Sequence, residues 1–383
     1  MIYLDYAATT PVDPRVQALI SQSLTEDFGN PSATYRIGKT SKHFLTVARR
    51  ELKECLGVGE EAQVYFTSGA TEAINWALIS QAKRAKELGL GNHIVTTAIE
   101  HSAVDKTLAN LETEGFEVTR IYPAADHQFH LSQFIEASHD QTIGWTVMAV
   151  NNELGSLLPI RALGQYAQER NIWFHVDSTQ AVGYMETDAS SLCCTSFTGS
   201  GHKFYAPKGI GFLVYQPWNP DMILHPMLHG GGQEHAMRSG TENIPYIRGM
   251  VEAVKLLTHD AHQLEQHFAH LTNYFFEELD KTGIDYQRNG DIQHHNQRIH
   301  NIWLKGYLAS QVIIQLDLEG IYISAGSACS AGSVKPSKVL KAYYPEQADL
   351  WAESLRISFG KNTQTEEIDQ LIKALTKLKK RSG

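Results

Sequence analysis

Ser200-Gly201-His202-Lys203 is a short polar knot between two apolar runs, Ser191 to Thr198 and Gly209 to Tyr215. A lysine set between buried strands is costly while it keeps its charge, so this one asks for a chemical explanation, and a Schiff base is the direct one. Working outward, His175-Val176-Asp177 closes another apolar strand with a carboxylate. Further upstream, Thr67-Ser68-Gly69-Ala70-Thr71 joins a strand to a helix through small residues, so that backbone N–H groups and the positive helix end face one point suited to a phosphate. Taken singly, these are an ion-pair lysine, a turn aspartate and a helix cap. Together they are the parts of a pyridoxal-phosphate site, in which Asp177 keeps the ring nitrogen protonated and the ring acts as an electron sink.

The surrounding pattern alternates strands with helices, which points to a mostly parallel sheet covered on both faces. Strands are expected at Val64 to Thr67, Ile94 to Thr97, Phe116 to Tyr122, Thr146 to Val150, Ile172 to Val176, Leu192 to Thr198 and Gly209 to Tyr215. Between them, Ile74, Ala77, Leu78 and Ala85 share one helical face, and Ser102 to Glu114 and Arg161 to Arg170 read as helices. From about His259 the pattern changes to a long polar helix, then Ile302-Trp303-Leu304, a helix near Gln311 to Leu318 and a closing helix from Thr365. The expected architecture is α/β, with a large domain over 12–260 and a smaller α+β domain made of 1–11 and 261–383. Ligands of such sheets bind beyond the carboxyl ends of the strands, where the candidate residues fall. His101, following another strand, could stack on a ring or move protons; by itself it is a loop histidine.

The 383 residues exceed what one compact core usually holds. A net charge of -9 argues against a nucleic-acid-binding surface as the main function, and the one basic run, Lys377 to Arg381, reads as a solvated helix end. No apolar stretch approaches the ~18 residues of a membrane span, and Met1 to Tyr6 carries no export signal, so a cytoplasmic protein is expected. The histidines from His259 to His270 read as a solvated helix face, and no metal site is expected.

Four cysteines, Cys55, Cys193, Cys194 and Cys329, lack C-x-x-C spacing and indicate neither a zinc site nor a disulfide framework. The first three sit in apolar patterns. Cys329 lies instead in the run of small residues from Ser324 to Ser333, which cannot form a core and reads as a mobile loop. A normal thiol is mostly protonated at neutral pH, so such a loop must bring Cys329 to a group that takes its proton. A nucleophile explains the segment better than a free-thiol linker does.

These residues resemble the NifS/IscS-type cysteine desulfurases, within the class V aminotransferase branch of the fold type I pyridoxal-phosphate enzymes. The resemblance runs from Tyr3-Leu4-Asp5-Tyr6-Ala7-Ala8-Thr9-Thr10-Pro11 to Arg356-Ile357-Ser358-Phe359-Gly360. It includes Phe28 to Ser32, Asn151-Asn152-Glu153, His229 to Gln233, Arg238 to Asn243 and Gly326-Ser327-Ala328-Cys329. It implies a large domain with a mostly parallel seven-stranded sheet, and conversion of L-cysteine to L-alanine. On matching residues, Lys203 would hold the cofactor and move the substrate's alpha proton, Asp177 would pair with the ring nitrogen and Gln180 would touch the ring hydroxyl. His101 would stack and act as acid or base. Ala70, Thr71, Ser200 and His202 would hold the phosphate together with Thr241 from the other subunit of a homodimer. Asn152 would orient the ring or substrate, Asn30 and Arg356 would bind the substrate carboxylate, and Cys329 would take the sulfur as a persulfide for an acceptor protein in iron-sulfur assembly or a specialised thiolation pathway. A selenocysteine lyase or aminotransferase of the same fold, or a non-catalytic sulfur-relay protein, are the alternatives that Cys329 and Lys203 disfavour.

Two departures stand beside the lysine: Ala206-Pro207 where the family usually has Gly-Pro, and Thr198-Gly199 before Ser200. Housekeeping members also carry a C-terminal extension that docks the iron-sulfur scaffold. Here the sequence ends at Gly383 shortly after the last helix, so the expectation is a specialised acceptor.

Overall fold

The computed structural model describes residues 1–185, 192–326 and 336–378. Strand β1 (Ile2–Tyr3) is followed by helices α1 (Pro14–Glu26) and α2 (Arg36–Cys55). An alternation comes next: β2 (Gln63–Thr67), α3 (Ala70–Glu87), β3 (His93–Thr97), α4 (Ser102–Thr113), β4 (Glu117–Ile121), α5 (Leu131–Ala137), β5 (Thr142–Met148), α6 (Ile160–Glu169) and β6 (Trp173–Asp177). Then follow β7 (Ser196–Ser200), β8 (Gly211–Tyr215), α7 (Ile244–His259), α8 (Ala261–Lys281), β9 (Tyr286–Arg288), β10 (Ile299–Leu304) and α9 (Ala309–Leu318). The chain closes with β11 (Ile321–Tyr322), α10 (Lys338–Tyr343), α11 (Ala348–Glu353), β12 (Ser354–Ser358) and α12 (Thr365–Thr376).

The seven-stranded sheet has the order β2-β8-β7-β6-β5-β3-β4. Every pairing is parallel except those of β8, which runs antiparallel to β2 and β7. Strands β3, β6, β7 and β8 are buried at every residue, the unbroken pattern of strands covered on both faces. Helix α3 covers one face with Ile74, Ala77, Leu78 and Ala85, all fully buried. A second sheet, β12-β10-β9, is antiparallel, and β1 pairs with β11, so the first residues of the chain lie with the last third. No described helix is long and apolar enough to cross a membrane.

One expected strand is shorter than its apolar pattern. Leu192 and Cys194 are buried without being extended, because half-buried Cys193 between them adopts φ +44°, and β7 begins at Ser196. The registers then place Gly211 opposite both Thr67 and Ser200. A Cβ on Gly211 would stand 2.6 Å from Gly69 Cα and from Gly199 O, so this glycine lets the turn into α3 lie close against the paired ends of β7 and β8.

Candidate active site

Ser200 ends β7 and the next three residues form a single tight turn, which turns Lys203 back toward the N-terminal segment. Lys203 Nζ donates to the Ala7 carbonyl at 2.7 Å and the Ala8 carbonyl at 2.8 Å. That segment is strapped to the turn by Thr10, whose N–H and hydroxyl both reach His202 O, and by Thr9 Oγ1, 3.1 Å from His202 Nδ1. Burial and then the neighbouring Lys203 and Lys208 push His202 down to about 4, so its ring is neutral. Gly199 is required here: a Cβ would lie 2.5 Å from the Phe212 ring. Ala206, almost fully buried, closes the turn through its N–H to Gly201 O at 3.0 Å. Of the two departures beside the lysine, Gly199 therefore has a local packing reason, while the backbone bond of Ala206 is one that glycine would also make.

Asp177 ends β6, the strand next to the one that leads into Lys203, with Thr198 opposite it on β7. Its carboxylate accepts the Thr179 N–H at 3.0 Å. Behind it, fully buried His175 bonds Ser196 Oγ at 2.8 Å, and burial pushes its imidazole down to about 4. His175 Nε2, Thr179 Oγ1 and Thr198 Oγ1 are buried polar atoms without a protein partner among the described residues. Such atoms at a strand end mark a place built to receive a polar group.

Gly69, with φ +154°, opens α3 from a backbone conformation that side chains disfavour. A Cβ there would stand 3.5 Å from Ser200 Oγ, in the cup formed by Ser200 and the first turn of α3. The N–H groups of Ala70 and Thr71 belong to that first turn, which has no intrahelical acceptors for them. The Ser68 N–H is taken by Glu72, which in turn holds Arg238 at 2.8 Å. Arg238 and exposed Thr241 line a cavity of about 190 Å³ together with Thr67 and Ser68.

His101 caps α4 by accepting the Ala103 N–H on Nδ1 at 3.1 Å. Burial lowers its pKa, so the neutral ring carries its proton on Nε2, away from the helix. Its neighbour Glu100 was not singled out from sequence. This carboxyl is buried, accepts from Thr97 Oγ1 at 2.6 Å and Met148 N at 3.2 Å, and is pushed by burial up to about 8.

Gln180, on the turn after β6, donates to the Ala7 carbonyl at 2.9 Å and accepts from Arg298 at 2.6 Å. Arg356, 2% exposed, reaches Asp5 Oδ1 at 2.7 Å and the Asn152 carbonyl at 3.0 Å. Asn30 is exposed in the loop between α1 and α2, where its amide oxygen accepts the Ser32 N–H. The structure thus brings Lys203 and Gln180 together on Ala7, and Asn152 and Arg356 together, while Asn30 caps its own turn.

Cys329 lies outside the described residues. Of the other three thiols, burial pushes Cys55 up to about 11, and Cys193 and Cys194 also rise, most for the fully buried Cys194. All three are held as thiols at neutral pH and make poor nucleophiles.

An amine, a strand-end carboxylate, a helix-end cup and unpartnered polar atoms at one sheet edge fit a phosphate-bearing pyridine cofactor. The chain belongs to the aminotransferase class-V family, whose pattern matches residues 2–371. Enzymes of that family use pyridoxal phosphate. The sequence is 37% identical over 382 residues to the cysteine desulfurase IscS of Methanosarcina thermophila, covering 98% of this chain and 91% of the relative. Among solved structures it is similar to a NifS-like protein, with a TM-score of 0.89 and 28% identity over 98% of both chains. It is also similar to SspA in complex with cysteine, with a TM-score of 0.79 and 32% identity over 94% of this chain and 99% of that one.

Proposed function

We propose that the protein is a pyridoxal-phosphate-dependent cysteine desulfurase that converts L-cysteine to L-alanine and lodges the sulfur on Cys329 as a persulfide for an acceptor protein. The observation that carries this reading is the convergence of Lys203, Asp177 and the first turn of α3 at one sheet edge. When bound, the cofactor supplies an electron sink at the substrate's α carbon. Lys203 Nζ holds it and moves the α proton, and Asp177 keeps the ring nitrogen protonated. Ala70, Thr71, Ser200 and His202 hold the phosphate, joined by Thr241 from a second copy of the chain. His101 gives and takes a proton at Nε2. The guanidinium of Arg356 takes the substrate carboxylate, with Asn30 and Asn152 orienting it. The Cys329 thiolate attacks the substrate sulfur; the carbon–sulfur electron pair stays with the substrate and is protonated, giving alanine, and the new sulfur–sulfur bond leaves the persulfide. Residues 1–11 and 261–383 form the smaller domain of this enzyme in the reading, against 12–260.

The test is incubation with L-cysteine and a reductant. Alanine and sulfide in equal amounts are expected, and Lys203→Ala removes both. Undiminished turnover by Lys203→Ala, or borohydride fixing the cofactor on Lys208, would contradict the assignment.

A further inference from the structure

We infer that Arg298 is a positioning residue that orients and polarises the Gln180 amide toward the cofactor, an inference that rests on the reading above. Arg298 is 1% exposed at the start of β10, and its Nη2 donates to Gln180 Oε1 at 2.6 Å. Guanidinium offers donors only, and the Ala7 carbonyl on the other side of Gln180 accepts only. One amide orientation satisfies both: Oε1 toward Arg298 and Nε2 toward Ala7, at 2.9 Å. Ala7 takes one amide hydrogen and leaves the second for the site, and the same carbonyl accepts from Lys203 Nζ. The cation therefore stands at the end of a polar chain, Arg298 to Gln180 to Ala7 to Lys203.

A packing role does not account for this arginine. Among the described residues it has no ion-pair partner, and its buried Nε and Nη1 have no acceptor. Besides Oε1, its Nη2 reaches the Gln180 backbone carbonyl at 3.5 Å, and the guanidinium carbon stands 4.0 Å from the ring of Tyr184, whose hydroxyl donates to Lys203 O at 2.9 Å. Burying a cation so incompletely satisfied is strongly unfavourable, and a methionine would fill the space more cheaply. What the charge does provide is withdrawal of electron density through Oε1, which makes the free Nε2–H a stronger donor. Directed at the cofactor's ring oxygen, that donor stabilises the oxygen as an anion and lets the nitrogen linked to Lys203 lose its proton at lower pH. Other ionisable groups face this chain: Tyr184 and Tyr205, which burial raises and Arg298 lowers, and His101 and His202, which burial lowers, with Asp177 facing His101. All five are common to every variant below.

The experiment is a pH titration of the holoenzyme's visible absorbance, with unfolding measured in parallel. Arg298→Met and Gln180→Leu are each expected to raise the midpoint by about one pH unit, a tenfold change in proton affinity. The double variant should shift no further than either single one, because the two residues act as a unit. Arg298→Lys, which restores a cation, should recover part of the shift, and it carries the test if Arg298→Met yields no soluble protein. A wild-type midpoint in the Arg298 variants, or additive shifts in the double variant, would overturn the inference while leaving the function intact. A wild-type protein with no cofactor absorbance would overturn both.

Discussion

Ser337 Oγ donates to Glu153 Oε2 at 2.5 Å, joining the turn after β5 to the start of α10. Ser337 is also the cap of α10, accepting the N–H groups of Val339 and Leu340 at 3.1 Å. Gly326, with φ +69°, comes to the same carboxylate, since a Cβ there would stand 3.1 Å from Oε2. The residues on either side of 327–335 therefore meet at one buried acid, whose pKa burial raises.

Removing that hydroxyl strips a helix cap and leaves a buried carboxyl short of a partner. Ser337→Ala should lower stability by about 1–3 kcal/mol. Urea unfolding at fixed pH measures this, and a loss below about 0.5 kcal/mol would mean that the contact contributes little.

Glu100 gives the fold a pH dependence with a definite sign. Burial raises its carboxyl from the ordinary 4.5 to about 8, so the native state favours the neutral form. Its contribution is fully present below pH 4.5 and is lost as pH rises toward about 8. Glu100→Gln keeps an acceptor for Thr97 and Met148 but cannot ionise. The difference in stability between the wild type and Glu100→Gln should move in the variant's favour as pH rises through that window, by on the order of several kcal/mol. A difference constant with pH would show that Glu100 is not shifted.

The cup at α3 depends on a glycine. Gly69→Ala forces a side chain into φ +154° and points a methyl toward Ser200 Oγ. A strain of about 1–3 kcal/mol is expected, and if it falls on the bound state it weakens cofactor affinity by roughly 5- to 150-fold. Equilibrium dialysis of the cofactor beside thermal unfolding of the apoprotein separates the two effects. Unchanged affinity would move the phosphate away from this turn.

Much of this was legible beforehand because the responsible groups are side chains at the ends of apolar runs. Asp177 and Lys203 stand out as polar residues next to buried strands, and the run into Thr67 with its small-residue turn marks the cup. Backbone carbonyls carry no such signal, so the roles of Ala7 and Ala8 appear once the chain is folded; the N-terminal stretch was marked by resemblance alone. Arg298 was passed over because a single arginine before a short strand looks like a solvated strand end. Glu100 was hidden by its neighbour His101. At Leu192 and Cys194 hydrophobicity reported burial correctly, but the half-exposed position and positive φ of Cys193 between them are not written in its side chain.

The central claim is that sulfur leaves L-cysteine for Cys329. Peptide mass spectrometry of the protein after exposure to L-cysteine, without reductant, tests it most directly. The account predicts one added sulfur on the peptide that contains Cys329 and none on those with Cys55, Cys193 and Cys194, whose thiols burial keeps protonated. Cys329→Ser should bind the cofactor and L-cysteine, gain no sulfur and release almost no alanine. Sulfur found on Cys55, Cys193 or Cys194 instead, or alanine formed at the wild-type rate by Cys329→Ser, would contradict it.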